Sequence, residues 1–405
     1  QVFFQPVGTA FYSDMELLRL VERVNRLRPF AFYMVDTLGS MYPGQVTRQF
    51  HLIHENMDPA IRLGFHGHNN LQLAFSNAQV LLGIQAKRQL ILDSSVYGMG
   101  RGAGNLPTEL ITRYINQNIQ SRYNVGMVMD IYDEYIAAIR KEYEWGYTMP
   151  YHIAASHVCH PSYAAYLINK QTLTMKDIEK IIQSIPDEYK VLYDRELIEQ
   201  LYVQFQSKKI DDSAAVQEIT GLIQGRKLLI LAPGKTLVSH RQEIKDFIER
   251  EHPYVISINF VDIGYPLDAC FVSNHKRIDA LSREIRSAEG IRLLLTSNIP
   301  RLNREGCLYV DYDRYTNPDP VVSDNAGLML LKLLQASGAR EMFLAGFDGF
   351  QEQENYYSEE LYLPVDIDEI EEKKIRMKKQ IKELSRTAKL YFLTPSLYEG
   401  EEIYV

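Results

Sequence analysis

The stretch RLGFHGHNN, Arg62 to Asn70, ends an apolar run with two histidines two residues apart. In an extended strand, residues i and i+2 point to the same side. His66 and His68 therefore aim both imidazoles at one place, with Gly67 between them. Two converging imidazoles suit a metal ion. The same letters also describe a polar strand end feeding a loop, and the short H-x-H spacing does not choose between the two readings.

Around this stretch the first 125 residues repeat a unit. Strand-like runs occur at VFFQP (Val2–Pro6), FAFYMVDT (Phe30–Thr37), IRLGFHGH (Ile61–His68) and RQLILDSS (Arg88–Ser95). A helix-like stretch follows each. Ser13, with Glu16 three residues on, forms a capping box, and Leu17, Leu18, Val21, Val24 and Leu27 recur behind it at helical spacing. After the fourth run, Pro107 suits a first helical turn, and Leu110, Ile111, Tyr114 and Ile115 make a stripe. Strand and helix alternating at this spacing is the βα unit of a parallel sheet.

Polar residues gather at the carboxyl ends of these runs: Gln5, Asp36 with Thr37, His66 with His68, and Asp93 with Ser94. That edge is where α/β folds hold their sites, which strengthens the metal reading. YGMGRGAGN follows the fourth run, with glycines at 98, 100, 102 and 104. Such a loop either lets backbone amides approach an anion or is a plain connector.

VDTLG, GFHGHNNLQLAFSNAQ and GMGRGAGNLPTEL, in that order and spacing, resemble strands six, seven and eight of the DRE-TIM metallolyases, most nearly the 4-hydroxy-2-oxovalerate aldolase branch. Hydroxymethylglutaryl-CoA lyase and isopropylmalate synthase are more distant. The lyase branch carries a Cys in the glycine loop, and this loop has none. The resemblance implies the carboxyl half of a (β/α)8 TIM barrel (strands five to eight), a divalent Mn or Mg ion, and aldol-type chemistry on a 2-oxo acid and an aldehyde. By it, His66 and His68 are metal ligands and Asn105 a further contact. Thr37 lies near the bound acid, and Asp36 stands behind the ligands. The family's strand-one aspartate ligand has no counterpart in this sequence. The resemblance thus implies that the other half-barrel comes from a preceding segment or a partner chain, and that metal occupancy in this chain alone is poor.

Residues 126–222 read as a helical domain, with apolar i, i+3, i+4 patterns at Met129–Tyr143, Pro161–Lys170, Thr174–Ile185 and Asp194–Ser207. Thr174 and Asp194 are candidate caps. The stretch resembles the helical domain that follows the barrel in 4-hydroxy-2-oxovalerate aldolase, where a tyrosine reaches the active site; His160 falls nearest that position. HIAASHVCH (His152–His160) groups three histidines with Cys159. It is either a second metal site or polar packing, and its spacing matches no standard ligand pattern.

At Lys227 strand and helix alternation restarts. KLLILA, YVISIN, DACFVSN, RLLLTSN, EMFLAGFDG and KLYFLTPS predict six strands of a doubly wound, Rossmann-like α/β domain over residues 226–405. APGKT is not a phosphate loop, because position 229 is Leu where the motif needs Gly. Gly234, Asn259, Asn274 and Asp348 fall at predicted strand ends, and Ser323 opens SDNAGLMLLKLLQASGAREMFLAGFDGF. These short motifs resemble the Rossmann-like domains of bacterial CMP-sialic acid-dependent sialyltransferases and archaeal pterin diphosphokinases. That implies a nucleotide or nucleotide-sugar site; asparagines ending strands in turns are the rival. Asp366–Lys389 reads as a solvated amphipathic helix.

Composition sets the outer limits. The 405 residues allow two or three domains, and 46% hydrophobic content with 27 Tyr and 16 Phe can fill them. A net charge of −8 gives no basic excess for nucleic acid. Three cysteines without a CxxC pair indicate neither a disulfide framework nor a structural zinc. No apolar run reaches membrane-spanning length and no signal peptide is visible, so a reducing cytoplasm is the default, and a homo-oligomer is compatible. The chain opens QVFFQPVG, without Met. Three readings result: a metal-dependent aldolase joined to a nucleotide-binding or glycosyltransferase-like domain, a nucleotide-binding protein with a degenerate barrel, and a non-catalytic assembly protein.

Overall fold

Each of the four amino-terminal runs becomes a strand: β1 (Phe3–Phe4), β2 (Ala31–Asp36), β3 (Arg62–Gly67) and β4 (Leu90–Leu92). All pair in parallel in the order β1-β2-β3-β4, so β1 and β4 are the two edges. The computed structural model describes residues 1–261, 264–281, 284–285, 290–319, 321–350 and 367–399. They form two units, Gln1–Lys170 with Met175–Leu201, and Gln171–Thr174 with Tyr202–Val405.

In the first unit, alternate residues of β2 and β3 face two environments. Phe32, Met34, Leu63 and Phe65 bury against Leu17, Val21 and Val24 of helix Asp14–Leu27 and Val46, Phe50 and Ile53 of helix Pro43–Asn56. The other face carries Ala31, Tyr33 and Val35 in a smaller cluster. The Ser13–Glu16 capping box is present. Leu27 lies outside the buried stripe, largely exposed. Helices at Val125–Ile131, Met149–Ser156, Pro161–Asn169 and Met175–Gln183 follow, the first running through a π-type turn at Tyr132–Ile136. Asp194 caps helix Arg195–Gln206, accepting from Leu197 N at 3.0 Å. These helices group with the four-stranded sheet as far as Leu201.

The second unit has seven parallel strands: β5 (Leu228–Leu231), β6 (Tyr254–Ile258), β7 (Ala269–Val272), β8 (Arg292–Thr296), β9 (Cys307–Val310), β10 (Glu341–Ala345) and β11 (Lys389–Phe392). Their order is β11-β10-β5-β6-β7-β8-β9. β9 is a seventh strand beyond the six predicted. Strand residues alternate between two cores: Leu228 and Ile230 meet Leu330, Leu331 and Leu334, while Leu229 and Leu231 meet Leu237, Ile244 and Phe247. Helices therefore cover both faces. Helix Ser213–Ile223, predicted with the helical segment, gives Ile219 and Ile223 to this unit's first core. Helix Ile367–Leu384 is not merely solvated, because Met377, Ile381 and Leu384 enter the same core; Asp366, the start of the predicted helix, lies outside the described residues. Among the described residues no helix is long and apolar enough to cross a membrane.

Candidate active site

The site face of the first unit follows from strand register. Tyr33 lies opposite Gly64, Val35 opposite His66, and Gly64 opposite Ile91. Gly64 has no side chain, and the Tyr33 ring lies across it: a Cβ there would sit 2.4 Å from the ring. The Tyr33 hydroxyl thereby reaches Asp93 beyond β4, donating to Oδ1 at 3.0 Å. Gln5 Nε2 donates to Asp93 Oδ2 at 2.8 Å, and His66 Nδ1 is 3.2 Å from the same oxygen. Partial burial alone would raise the Asp93 carboxyl; hydrogen bonds from His66, Tyr33 and Gln5 outweigh it and hold it below the usual range. His66, Leu92, Asp93, Ser94 and Asn105 line an open cleft of about 370 Å³.

The two histidines converge as their spacing predicts, with ring centroids 5.2 Å apart and planes at 74°. Burial, then the charge of His66, pushes His68 down to about 4. His68 is thus neutral at pH 7, the form that ligates metals. Asn105 pairs with His68 in an isolated antiparallel bridge. Its Nδ2 donates to Met99 O at 3.0 Å, while its Oδ1 is buried and has no hydrogen-bond partner. A buried amide oxygen without a partner is costly unless something completes it.

The glycine loop is folded tightly around Asn105. A Cβ on Gly100 would fall 2.4 Å from Asn105 Nδ2, and one on Gly104, where φ is +84°, only 2.0 Å from Gly98 O. Several of its amides are used internally: Ala103 N donates to Asn70 Oδ1 at 2.9 Å and Asn105 N to Gly98 O at 2.9 Å. Asn70 also donates to Leu38 O at 2.9 Å, tying the loop after β2 to the glycine loop.

The remaining predicted residues are also placed. Asp36 accepts from Ser40 N at 2.9 Å and Met41 N at 3.0 Å; burial dominates and raises it to about 6. It shapes the turn after β2. Thr37 Oγ1 accepts from Gly8 N at 2.8 Å. His160 caps helix Pro161–Asn169 by accepting Ser162 N at Nδ1, 3.2 Å away. Burial, then Arg101, lowers its pKa, and its charge is felt at His68. The HIAASHVCH cluster does not converge: His157 faces Glu179 at 3.3 Å, and burial raises the Cys159 thiol to about 12. Among the described residues no three His, Cys, Asp or Glu side chains gather around one point. His66, His68 and Asn105 fit the nitrogen and amide side of a divalent site; the carboxylate in the same cleft, Asp93, is engaged by Gln5, Tyr33 and His66. The sequence places Gln5 and Asp93 at the site edge but gives them no role there, and it does not single out Tyr33. Their signal was positional, since each shares the site's face or strand end.

In the second unit the sheet order reverses between β5 and β10, the position where open α/β sheets form a crevice. Gly234 and Asp348 meet there. Gly234 N donates to Gly346 O at 3.0 Å, and Asp348 Oδ2 accepts from Thr236 N at 2.9 Å. The other three predicted residues have local backbone roles. Asn274 caps helix His275–Ala280, accepting from Arg277 N at 2.9 Å. Asn259 turns the chain with φ of 64°, and its Oδ1 has no partner. The Ser323 carbonyl accepts from Asn317 N at 2.8 Å. The helix that follows is capped by Asn325.

Comparison with known proteins bears on the first unit. Residues 5–134 match the model of the HMGL-like family. A 4-hydroxy-2-oxovalerate aldolase of Marinomonas sp. is 35% identical over 105 residues, 26% of this chain and 30% of that protein. One from Geobacillus thermodenitrificans is 31% identical over 140 residues, 33% of this chain and 40% of that protein. The matches thus span about a third of the length of these curated relatives. Among solved structures, the N-terminal domain of a proposed aldolase from Bacteroides vulgatus covers 42% of this chain and 55% of its own, at 24% identity and a TM-score of 0.37.

Proposed function

We propose that the first unit carries the histidine side of a divalent-metal site for carbon–carbon lyase chemistry on a 2-oxo acid. The supporting observation is the converging His66–His68 pair beside the partnerless Oδ1 of Asn105. His66, His68 and Asn105 would hold the ion, and its remaining positions would fall to substrate oxygens, water or a carboxylate from outside the described residues. When bound, such an ion supplies Lewis-acid stabilisation to the enolate formed as the C–C bond breaks. Thr37 lies at the end of β2, where its hydroxyl would meet the acid. Asp36 holds the turn that presents Thr37. His160, accepting at Nδ1, carries its ring proton on Nε2 and so can donate to an aldehyde oxygen.

The sequence similarity to aldolases is in keeping with this chemistry. Mn2+ titration followed by electron paramagnetic resonance, and deuterium exchange at the pyruvate methyl group, test it. Binding and exchange lost in the His66→Ala/His68→Ala double variant support the reading. A double variant that binds Mn2+ like the parent removes it.

A second reading concerns the second unit alone. The meeting of Gly234 and Asp348 at the sheet's reversal point supports a nucleotide or nucleotide-sugar ligand there. Calorimetry with CMP, CDP and UDP-sugars tests it. Binding that Asp348→Ala weakens is the expected result, and heat-silent titrations with all three leave the unit a structural role.

A further inference from the structure

Three strands each direct one polar side chain at a single carboxylate, which follows the fourth strand. Phe3 pairs with Ala31, Tyr33 with Gly64, and Gly64 with Ile91. Counting two residues at a time from these registers puts Gln5, Tyr33, His66 and Asp93 on one face. Gln5, Tyr33 and His66 all contact the Asp93 carboxylate, at 2.8, 3.0 and 3.2 Å. An ionised carboxylate only accepts hydrogen bonds. Each of the three neighbours must therefore donate, and the His66 ring donates through Nδ1–H. The opposite tautomer would set the Nδ1 lone pair against a carboxylate oxygen, Asp93 Oδ2.

We infer that Asp93 is a positioning residue: held by Tyr33 and Gln5, it locks His66 as the Nδ1–H tautomer and so leaves Nε2 as the free lone pair. The use of that lone pair for a metal rests on the proposed function; the tautomer does not. Carboxylates in this position orient histidine ligands and raise their basicity. The arrangement also explains Gly64. Any side chain there would block the Tyr33 ring, with its Cβ 2.4 Å from it. Without Tyr33, Asp93 Oδ1 would lose its donor from β2.

Imidazole nitrogen NMR on the metal-free 405-residue chain decides the matter, with His66 assigned by difference against His66→Gln. The expected parent spectrum shows His66 as Nδ1–H. Asp93→Ala should move it toward Nε2–H, whereas Asp93→Asn, which keeps an acceptor oxygen, should retain Nδ1–H. A parent ring protonated at Nε2 overturns the inference on its own, even if Asp93→Ala does not fold. So does an Asp93→Ala spectrum that keeps Nδ1–H. Mn2+ titration of the same samples separates the two claims. Parent and His66→Ala chains that bind Mn2+ equally, with the Nδ1–H tautomer in place, remove the metal reading and leave the inference standing. If the metal reading holds, Asp93→Ala should weaken Mn2+ binding about 10- to 100-fold.

Discussion

The Tyr33 hydroxyl reaches from β2 across β3 to donate to Asp93 beyond β4, at 3.0 Å, passing over the bare backbone of Gly64. One missing side chain on the middle strand is what lets its two neighbours touch. Gly64→Ala should therefore expel the Tyr33 ring and release Asp93 together. The overpacking cost is about 1–3 kcal/mol, read as a lower urea midpoint. Tyr33→Phe removes the hydrogen bond without the clash and should cost less. Equal midpoints for Gly64→Ala and the parent would show that the ring is not confined there.

Two neighbouring groups, Asp36 buried and His68 partly buried, set opposing pH dependences. His68 titrates at about 4 in the fold against 6.5 ordinarily. The unfolded chain takes up that proton first, so stability is lost as pH falls from about 6.5 to about 4. Asp36 titrates at about 6 against 3.8. There the folded chain holds the proton, so stability is lost as pH rises through about 6. Each effect is on the order of 3 kcal/mol across its window, and over pH 4–6 they nearly cancel. Asp36→Asn should unmask the histidine and make the chain lose stability steeply on acidification from pH 7 to 4. His68→Gln should do the reverse, gaining stability over that range. Urea denaturation at stepped pH measures both, and parallel profiles for the two variants would contradict the assignment.

How much of this was legible in the sequence depends on which periodicity carried it. The two-residue period of strands placed His66 and His68 on one face, and the βα alternation placed all four amino-terminal strands. The Ser13–Glu16 box and Asp194 announced their caps, because cap chemistry is local. β9 escaped because CLYV is an apolar run of only four residues, too short to stand out even with Gly306 turning the chain just before it. The hub at Asp93 escaped for a different reason. It depends on register across four strands and on the gap at Gly64, and neither is written in any single segment. In the second unit, Asn274 also caps a helix, a local role that its strand-end position did not announce.

Where β5 and β10 leave the sheet, their backbones interlock. A Cβ on Gly234 would lie 2.3 Å from Gly346 O, and one on Gly346 only 2.0 Å from Ala232 O. Asp348 accepts from both the backbone and the hydroxyl of Thr236. Gly234→Ala should cost about 1–3 kcal/mol by steric overlap. Asp348→Ala should cost about 1–2 kcal/mol by leaving the first turn of helix Thr236–Ser239 without its acceptor. Thermal denaturation reads both. An Asp348→Ala chain as stable as the parent would mean that the carboxylate has no structural duty and is free for a ligand.

Asn105 gives the sharpest test of the metal reading, because its Oδ1 is buried without a partner while its Nδ2 is held by Met99 O. If Oδ1 faces an ion, Asn105→Ala should weaken Mn2+ binding about tenfold, equivalent to about 1.4 kcal/mol. Asn105→Asp, which places a charge on the same oxygen, should strengthen it. Gly100→Ala never touches the ion directly, yet its Cβ would fall 2.4 Å from Asn105 Nδ2 and displace the side chain. It should reproduce the Asn105→Ala loss. Without an ion, the partnerless oxygen is a plain liability, and Asn105→Ala should then leave Mn2+ binding unchanged. In that case Asn105→Asp should destabilise the fold by burying a charge. Mn2+ titration and urea denaturation on the three variants separate the two cases, because a ligand oxygen and a structural liability respond to Asn105→Asp in opposite directions.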